Sequence, residues 1–242
     1  MEVALLTVGD ELLAGDTENT NASWLGRQLT AAGATVTRVL TVPDDRSVIA
    51  DAVARYHDSF DAVIVTGGIG GTPDDVTKAG VAQAFDRALV VPDDVRARLE
   101  AKAEQFAANN PEMVSRYDVD IDLDAWASVP EGAEPLLTDE SFAAGCVLDD
   151  VYVLPGIPDE LKTMFHTIAD EFDGTRTTET IHTPAPEGAL VAAVTTAGDR
   201  FDVAVGSYPR KDDHPGRVKV TGDAPAAVAD AIAWLRERIE TR

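Results

Sequence analysis

The segment DAVIVTGGIGGTPDDVT, residues 61–77, decides how this chain is read. Asp61 to Thr66 is a short apolar run with β-branched residues, the pattern of a buried strand. It runs into four glycines, Gly67, Gly68, Gly70 and Gly71, whose backbone can turn sharply and approach a ligand closely. Pro73 suits a first helical position, and Asp74 and Asp75 stand at a helix start. Amides from such a turn, and from the helix after it, can point at one anionic group, while the carboxylates suit a divalent cation or an orienting role. Two readings are open on these residues: a phosphate cradle, or a strand-to-helix turn that needs glycine only for its geometry. The loop matches neither GxGxxG nor GxxxxGK[ST], so it is not a standard dinucleotide or P-loop fingerprint.

Outward from this loop, residues 1–173 alternate β and α. Strands are expected at 3–8, 35–41, 61–66 and 151–154, and helices near 20–32, 45–57, 77–85, 93–108 and 159–171. This order implies right-handed crossovers and an α/β fold, a three-layer, mostly parallel sheet covered on both faces. The stretch 110–150 holds several turns, with a short hairpin around Ala144 to Leu154. A boundary is expected near residue 174, in FDGTRTT, as an exposed, protease-sensitive segment. Residues 174–242 then read βαββα: a strand near 176–183, a helix at 187–197, strands at 201–208 and 216–221, and a last helix. In that helix Val228, Ile232, Leu235 and Ile239 share one face. The domains are thus 1–173 and a small α+β module at 174–242.

Charge separates the same two parts. Residues 1–173 carry 33 acids and 11 bases, whereas 174–242 carry 10 acids and 9 bases, within a total net charge of −23. That surplus argues against nucleic acid or an anionic membrane as partner. Lysine occurs 5 times against 15 arginines and the acids are scattered, a pattern resembling proteins of a salt-saturated cytoplasm, where screening tolerates charge. No apolar run reaches the roughly 20 residues of a membrane span, and no basic region precedes the first strand, so a cytoplasmic location is expected. One cysteine, Cys146, excludes an intrachain disulfide and reads as a core residue.

In an open parallel sheet, ligands sit beyond the carboxyl ends of the strands. Four segments there carry chemistry: Gly9 to Gly15 with Asp10 and Glu11, Pro43-Asp44-Asp45, the glycine-rich loop, and Pro155-Gly156-Ile157-Pro158. Loop amides with the hydroxyls of Thr66 and Thr72 suit a phosphate. Asp10, Glu11, Asp74 and Asp75 suit Mg²⁺, which takes one or two carboxylates plus waters. Asp44 suits orienting or deprotonating a water. Asn19 and Asn21 suit ligand contact, though helix capping accounts for one of them. His57, His166, His182 and His214 are dispersed without metal-ligand spacing. Arg210, Lys211, Arg217 and Lys219 are solvated bases on an edge hairpin or phosphate contacts at an interface.

GDELLAG, then NTN..WL, VPDD, TGGIGGTPDDVT and LPGIPDELKTMF resemble, in that order, the molybdopterin-binding domain, and most closely the N-terminal region of the CinA (competence/damage-inducible protein A) family. The resemblance covers roughly residues 3–172, and VAVGSYPR is similar to that family's small second domain. It implies a pterin or nucleotide phosphate ligand and a homo-oligomer. It implies functional aspartates in VPD and DVT, here Asp44 and Asp75, and ligand contacts at Gly9, Asn21, Thr66, Gly67, Gly68, Gly70, Thr72, Thr77, Pro155 and Gly156. CinA-like domains are associated with metal-dependent hydrolysis of the pyrophosphate in ADP-ribose or a related dinucleotide. Other members of the superfamily adenylylate molybdopterin, and a ligand sensor without turnover is a third class. The family's usual amidohydrolase domain has no room here, so its deamidation is not expected. Asp124-Ala125-Trp126 and Ala143-Ala144-Gly145-Cys146 depart from the family pattern in segments tied to ring recognition.

Overall fold

A computed structural model describes residues 1–117, 122–210 and 215–242. The strands are β1 (Glu2–Val8), β2 (Thr35–Val42), β3 (Ala62–Thr66), β4 (Leu89–Val90), β5 (Val129–Pro130), β6 (Glu134–Leu136), β7 (Gly145–Leu148), β8 (Val151–Leu154), β9 (Thr177–Thr183), β10 (Ala204–Tyr208) and β11 (Gly216–Gly222). The helices are α1 (Asp10–Ala14), α2 (Thr20–Ala31), α3 (Arg46–His57), α4 (Thr77–Ala84), α5 (Asp93–Asn109), α6 (Pro111–Tyr117), α7 (Leu123–Ala127), α8 (Pro158–His166), α9 (Glu187–Phe201) and α10 (Pro225–Arg236).

Two compact units result. One holds Glu2–Gly26 and Val36–Glu171; the other holds Met1, Arg27–Thr35 and Phe172–Arg242. Hydrogen bonds tie the segment around residue 174 to the residues that follow α2. The Gly174 amide donates to Ala32 O at 2.9 Å and the Arg176 amide to Gly33 O at 3.2 Å. Residues 27–35 therefore group with the C-terminal unit.

The main sheet has the order β2-β1-β3-β8-β7-β6. β3 runs parallel to both β1 and β8, with Leu5 opposite Ile64 and Val65 opposite Val153. The central strands β1, β3 and β8 are buried on both faces, which is why β3 reads as an unbroken apolar run. Leu6, Val63 and Val65 pack with Ile49 and Val53 of α3 and Val81 of α4. In α8 the residues Leu161, Met164 and Phe165 are buried, and Phe165 meets Trp24 of α2 edge-on at 5.4 Å. The hairpin is β7–β8, antiparallel, turning through Asp149 and Asp150 with φ of 44° and 64°. Two left-handed residues match the twist of the strands they join, and aspartate tolerates that conformation.

Several boundaries differ from the expected ones. The segment after β1 is not a plain loop: Asp10 to Ala14 winds into α1, closed by Gly15 in the left-handed conformation (φ 78°). The helix expected at 159–171 ends at His166 and resumes as a 3-10 turn, Ala169–Phe172. The helix expected at 187–197 runs on to Phe201, so β10 begins only at Ala204. In the C-terminal unit β10, β11 and β9 form an antiparallel sheet whose Val218, Val220 and Ile181 pack with Val228, Ile232 and Leu235 of α10.

Candidate functional site

The carboxyl ends of β1, β2, β3 and β8 surround one cleft of about 250 Å³. Its geometry starts at Gly67, whose φ of 99° and tight approach to the Val8 carbonyl leave no place for a side chain. The Gly67 amide donates to Leu154 O at 3.2 Å, so the turn is tied to β8 as the chain leaves β3. Beyond it, the amides of Gly68, Ile69, Gly70 and Gly71 have no acceptor among the described residues. Consecutive free amides in a tight turn make an anion-binding concavity. The loop is closed by Asp75, whose Oδ2 accepts from the Thr72 amide at 2.8 Å and the Thr72 hydroxyl at 2.5 Å. The Thr77 amide donates back to Gly68 O at 3.0 Å, so it is not available to a ligand.

Asp44 and Asp45 divide their work. Asp45 caps α3, accepting from Ser47 N at 2.8 Å and Val48 N at 3.1 Å, and the Ser47 hydroxyl leads in lowering its pKa. Asp44 is thereby left to the cleft, where its Oδ2 accepts from the Asp10 amide at 2.8 Å. Burial pushes the Asp44 carboxyl above its ordinary value, partly offset by that amide and reinforced by repulsion from Asp10, Glu11 and Asp74.

Most of the expected site residues converge. Gly9, Glu11, Asn21, Asp44, Thr66, Gly67, Gly68, Asp74, Asp75 and Gly156 all line the cleft. Asn21 does so by donating to Gly156 O at 2.7 Å, while Asn19 takes the capping role by accepting from Ala22 N at 3.1 Å. Five expected residues do not line it. Asp10 contributes its amide. Gly70 and Thr72 line a second cavity next door. Thr77 is buried, its hydroxyl unpaired, beneath Gly68. Pro155 is buried. Among the described residues no three His, Cys, Asp or Glu side chains come together as a metal-binding group. A hard cation still fits the donor chemistry, because carboxylates whose mutual repulsion raises Asp44 would be relieved by one. Such an ion would have to share its coordination between few carboxylates, water and ligand oxygens, the usual habit of Mg²⁺.

Sequence reasoning missed three features. Glu18 adds a fifth carboxylate to the lining, beside Glu11, Asp44, Asp74 and Asp75, and no Lys or Arg is among the lining residues. Lys78, 3% exposed, donates from Nζ to Ala125 O at 2.7 Å and Trp126 O at 3.2 Å. Burial lowers its pKa to about 8, against the attraction of Cys146 and Asp75. The available signal was its place one turn before Ala82 on the buried face of α4. The third feature is the pair Trp126 and Phe142, with ring centroids 5.4 Å apart. Cys146 is buried, its thiol pushed up to about 12 by burial. His57 packs edge-on to Phe85 and His166 to Trp24. Arg217 stacks over Tyr208 at 4.9 Å, while Lys211 and His214 lie outside the described residues.

Residues 4–173 match the family described as "Probable molybdopterin binding domain", and residues 176–242 match "FAD synthase, middle domain". This chain belongs to the molybdopterin-binding domain family. Within it the chain is CinA-like. It is 39% identical over 174 residues to a CinA-like protein of Frankia casuarinae, a match covering 68% of this chain and 38% of that one. A protein of Archaeoglobus fulgidus is 34% identical over 246 residues, covering 100% of both chains. The crystal structure of CinA from Thermoplasma acidophilum, described as of unknown function, superposes with a TM-score of 0.61 at 29% identity. It covers 71% of this chain and 97% of its own. A molybdopterin-binding domain followed by a FAD synthase middle domain points to a nucleotide-related or pterin-binding role. No helix among the described residues is long and apolar enough to cross a membrane.

Proposed function

We propose that the cleft hydrolyses the pyrophosphate of a dinucleotide such as ADP-ribose, with a divalent cation, Mg²⁺ in the first instance. The observation that carries this reading is the pairing of four free loop amides with a lining that has five carboxylates and no basic side chain. Amides alone would hold a phosphate against that much negative charge only weakly. A pyrophosphate therefore enters most favourably together with a cation, held by Glu11, Asp74 or Asp75. When bound, the cation neutralises phosphate oxygens and favours attack at phosphorus. The chain's own residues do the rest. The amides of Gly68 to Gly71 fix one phosphate, and Asn21 braces the Gly156 loop across the cleft. Asp44, whose carboxyl is raised by burial and by repulsion from its acidic neighbours and is thereby a stronger base than an ordinary aspartate, accepts a proton from the attacking water.

The surface charge fits work in concentrated salt, and a homo-oligomer is part of this reading. A second reading, molybdopterin handling in molybdenum-cofactor synthesis, is favoured by the family match itself. Incubation with ADP-ribose and with FAD, with and without Mg²⁺, followed by mass spectrometry of products and of ligand retained on the protein, separates the two. AMP released only with Mg²⁺ supports hydrolysis. Intact substrates and a retained pterin overturn it in favour of the second reading. Intact substrates with a retained dinucleotide leave a sensor.

A further inference from the structure

Two consecutive residues at the start of α4 hold the two ends of the run of free amides. The Thr77 amide donates to Gly68 O at 3.0 Å, which fixes the first end directly. Lys78 reaches the other end through α7, where its Nζ donates to Ala125 O at 2.7 Å and Trp126 O at 3.2 Å. Trp126 then lies against the loop. A Cβ at Gly71 would come within 2.6 Å of Trp126 Nε1 and 2.8 Å of its Cδ1, so the indole edge touches the loop backbone. α4 is itself a firm anchor, because a Cβ at Gly80 would come within 2.6 Å of Ile49 Cγ2, which seats the helix directly on α3.

The ammonium is not needed to satisfy those carbonyls. Ala125 O also accepts from Ser128 Oγ at 2.9 Å, and Trp126 O from the Ala144 amide at 3.0 Å. Nor does it help the core: Lys78 is 3% exposed, and a methionine would fill the same volume without desolvating a charge. What an ammonium adds is direction. Two charge-assisted hydrogen bonds fix where the end of α7 sits relative to α4. Phe142, whose ring centroid lies 5.4 Å from that of Trp126, packs the indole further, and the Lys102 ammonium stands 4.5 Å over the Phe142 ring.

We infer that Lys78 is a positioning residue for the phosphate site: it holds Gly71 through Trp126 and, with Thr77 on Gly68, keeps the free amides of the loop aimed at one anion. The inference rests on the proposed phosphate cradle but not on turnover, so binding and loop order test it.

The test is a double-mutant cycle on the whole chain: Lys78→Met, Trp126→Ala and the two together. The probe is methylenediphosphonate with Mg²⁺, a pyrophosphate mimic that resists hydrolysis and has no ring for the indole to touch. Each single variant should weaken its binding by about tenfold, a displacement well short of the ångström that costs roughly 100-fold. The double variant should bind no worse than the worse single one, because both changes remove the same support. Without ligand, the NMR order parameters of the Gly70 and Gly71 amides should fall in Lys78→Met from the rigid range, about 0.85, toward about 0.6. Those of β3 and β8 should stay as in wild type, which separates a slack loop from a damaged fold. Lys78→Gln and Trp126→Phe stand in for any variant that does not fold. Wild-type affinity in Lys78→Met, losses that add in the double variant, or unchanged order at Gly70 and Gly71 would overturn the role of Lys78. Loosened amides in Lys78→Met, with a wild type that binds no diphosphonate, would instead overturn the phosphate cradle of the proposed function.

Discussion

The two units of this chain carry their charge for different reasons. Residues 1–173 hold nearly all of the net negative charge, and part of it is concentrated where four strand ends meet. Residues 174–242 are almost neutral, and the outward positions of their small sheet place Arg217 opposite His182 and Lys219 opposite Thr180. An acid on open surface is solvated and costs little. Asp44 is different: it is partly buried among Asp10, Glu11 and Asp74, so its ionised form is disfavoured. The contrast teaches that the acidity of the first unit is two things at once, a solvated surface and a cleft whose carboxylates repel one another.

The largest expected effect breaks the comparison at the cleft. Asp44→Asn and Asp75→Asn should each lower ADP-ribose turnover by roughly 100-fold or more, the scale of losing a positioned acid–base group. Asp94→Asn, an exposed acid in the same unit, should leave it unchanged. Equal losses in all three variants would mean that the cleft acids are no different from surface acids. Asp75 is the less simple of the pair, because its Oδ2 also holds Thr72; melting curves on Asp75→Asn separate a slack loop from a lost charge.

Salt sharpens the contrast between the units. The Debye length falls to about 3 Å at 1 M salt, which screens self-repulsion. Hydrogen exchange on the whole chain, in molar KCl against dilute buffer, should show protection rising with salt in 36–171 and changing much less in 177–242. A uniform change would assign the effect to the whole molecule.

Stability against pH should carry opposite signs at Asp44 and Lys78. Asp44 has a raised native pKa, so between its ordinary 3.8 and that higher value the folded state binds more protons and stability falls as pH rises. Asp44→Asn, which keeps an acceptor for the Asp10 amide, should therefore melt higher than wild type at pH 7 and lose that advantage in acid. Lys78 has a lowered native pKa, about 8 against 10.5, so the unfolded state binds more protons in that interval and stability rises with pH. Against Lys78→Met, wild type should gain stability from pH 8 to 10.5. The carbonyls that Lys78 clamps keep other donors, Ser128 Oγ at 2.9 Å and Ala144 N at 3.0 Å, so the variant should fold. Parallel pH profiles for wild type and Lys78→Met would show that burial does not lower the lysine's pKa. Asp45→Ala, the smallest change, should cost about 1 kcal/mol by removing the α3 cap, read by denaturant melts, and leave turnover alone.

The fold was legible wherever local signals agree. β3 is an apolar run ended by glycines, and Asp45 stands one residue before α3 with Ser47 behind it. The cleft was legible because strand ends of a parallel sheet must meet, which places Gly9, Asp44, Gly67 and Gly156 together before any contact is known. What stayed hidden depends on packing between distant segments. A lysine at a helix start reads as exposed, and only the carbonyls of α7, 47 residues further on, make Lys78 an interior group. Trp126 sits in a stretch without periodicity, and its meaning comes from the Gly71 backbone lying against it. The division of labour between Asn19 and Asn21 likewise turns on the Gly156 carbonyl, 135 positions from Asn21.

Whether the cleft needs a cation to take a phosphate is open to one direct measurement: calorimetric titration of ADP-ribose into the wild-type chain at high salt, with Mg²⁺ and then with EDTA. The account predicts binding with Mg²⁺ that is lost or greatly weakened in EDTA, and a smaller dependence on Mg²⁺ in Asp44→Asn, where repulsion is already reduced. Equal affinity in Mg²⁺ and in EDTA would contradict it, because five carboxylates without a base would then be accepting a pyrophosphate unaided.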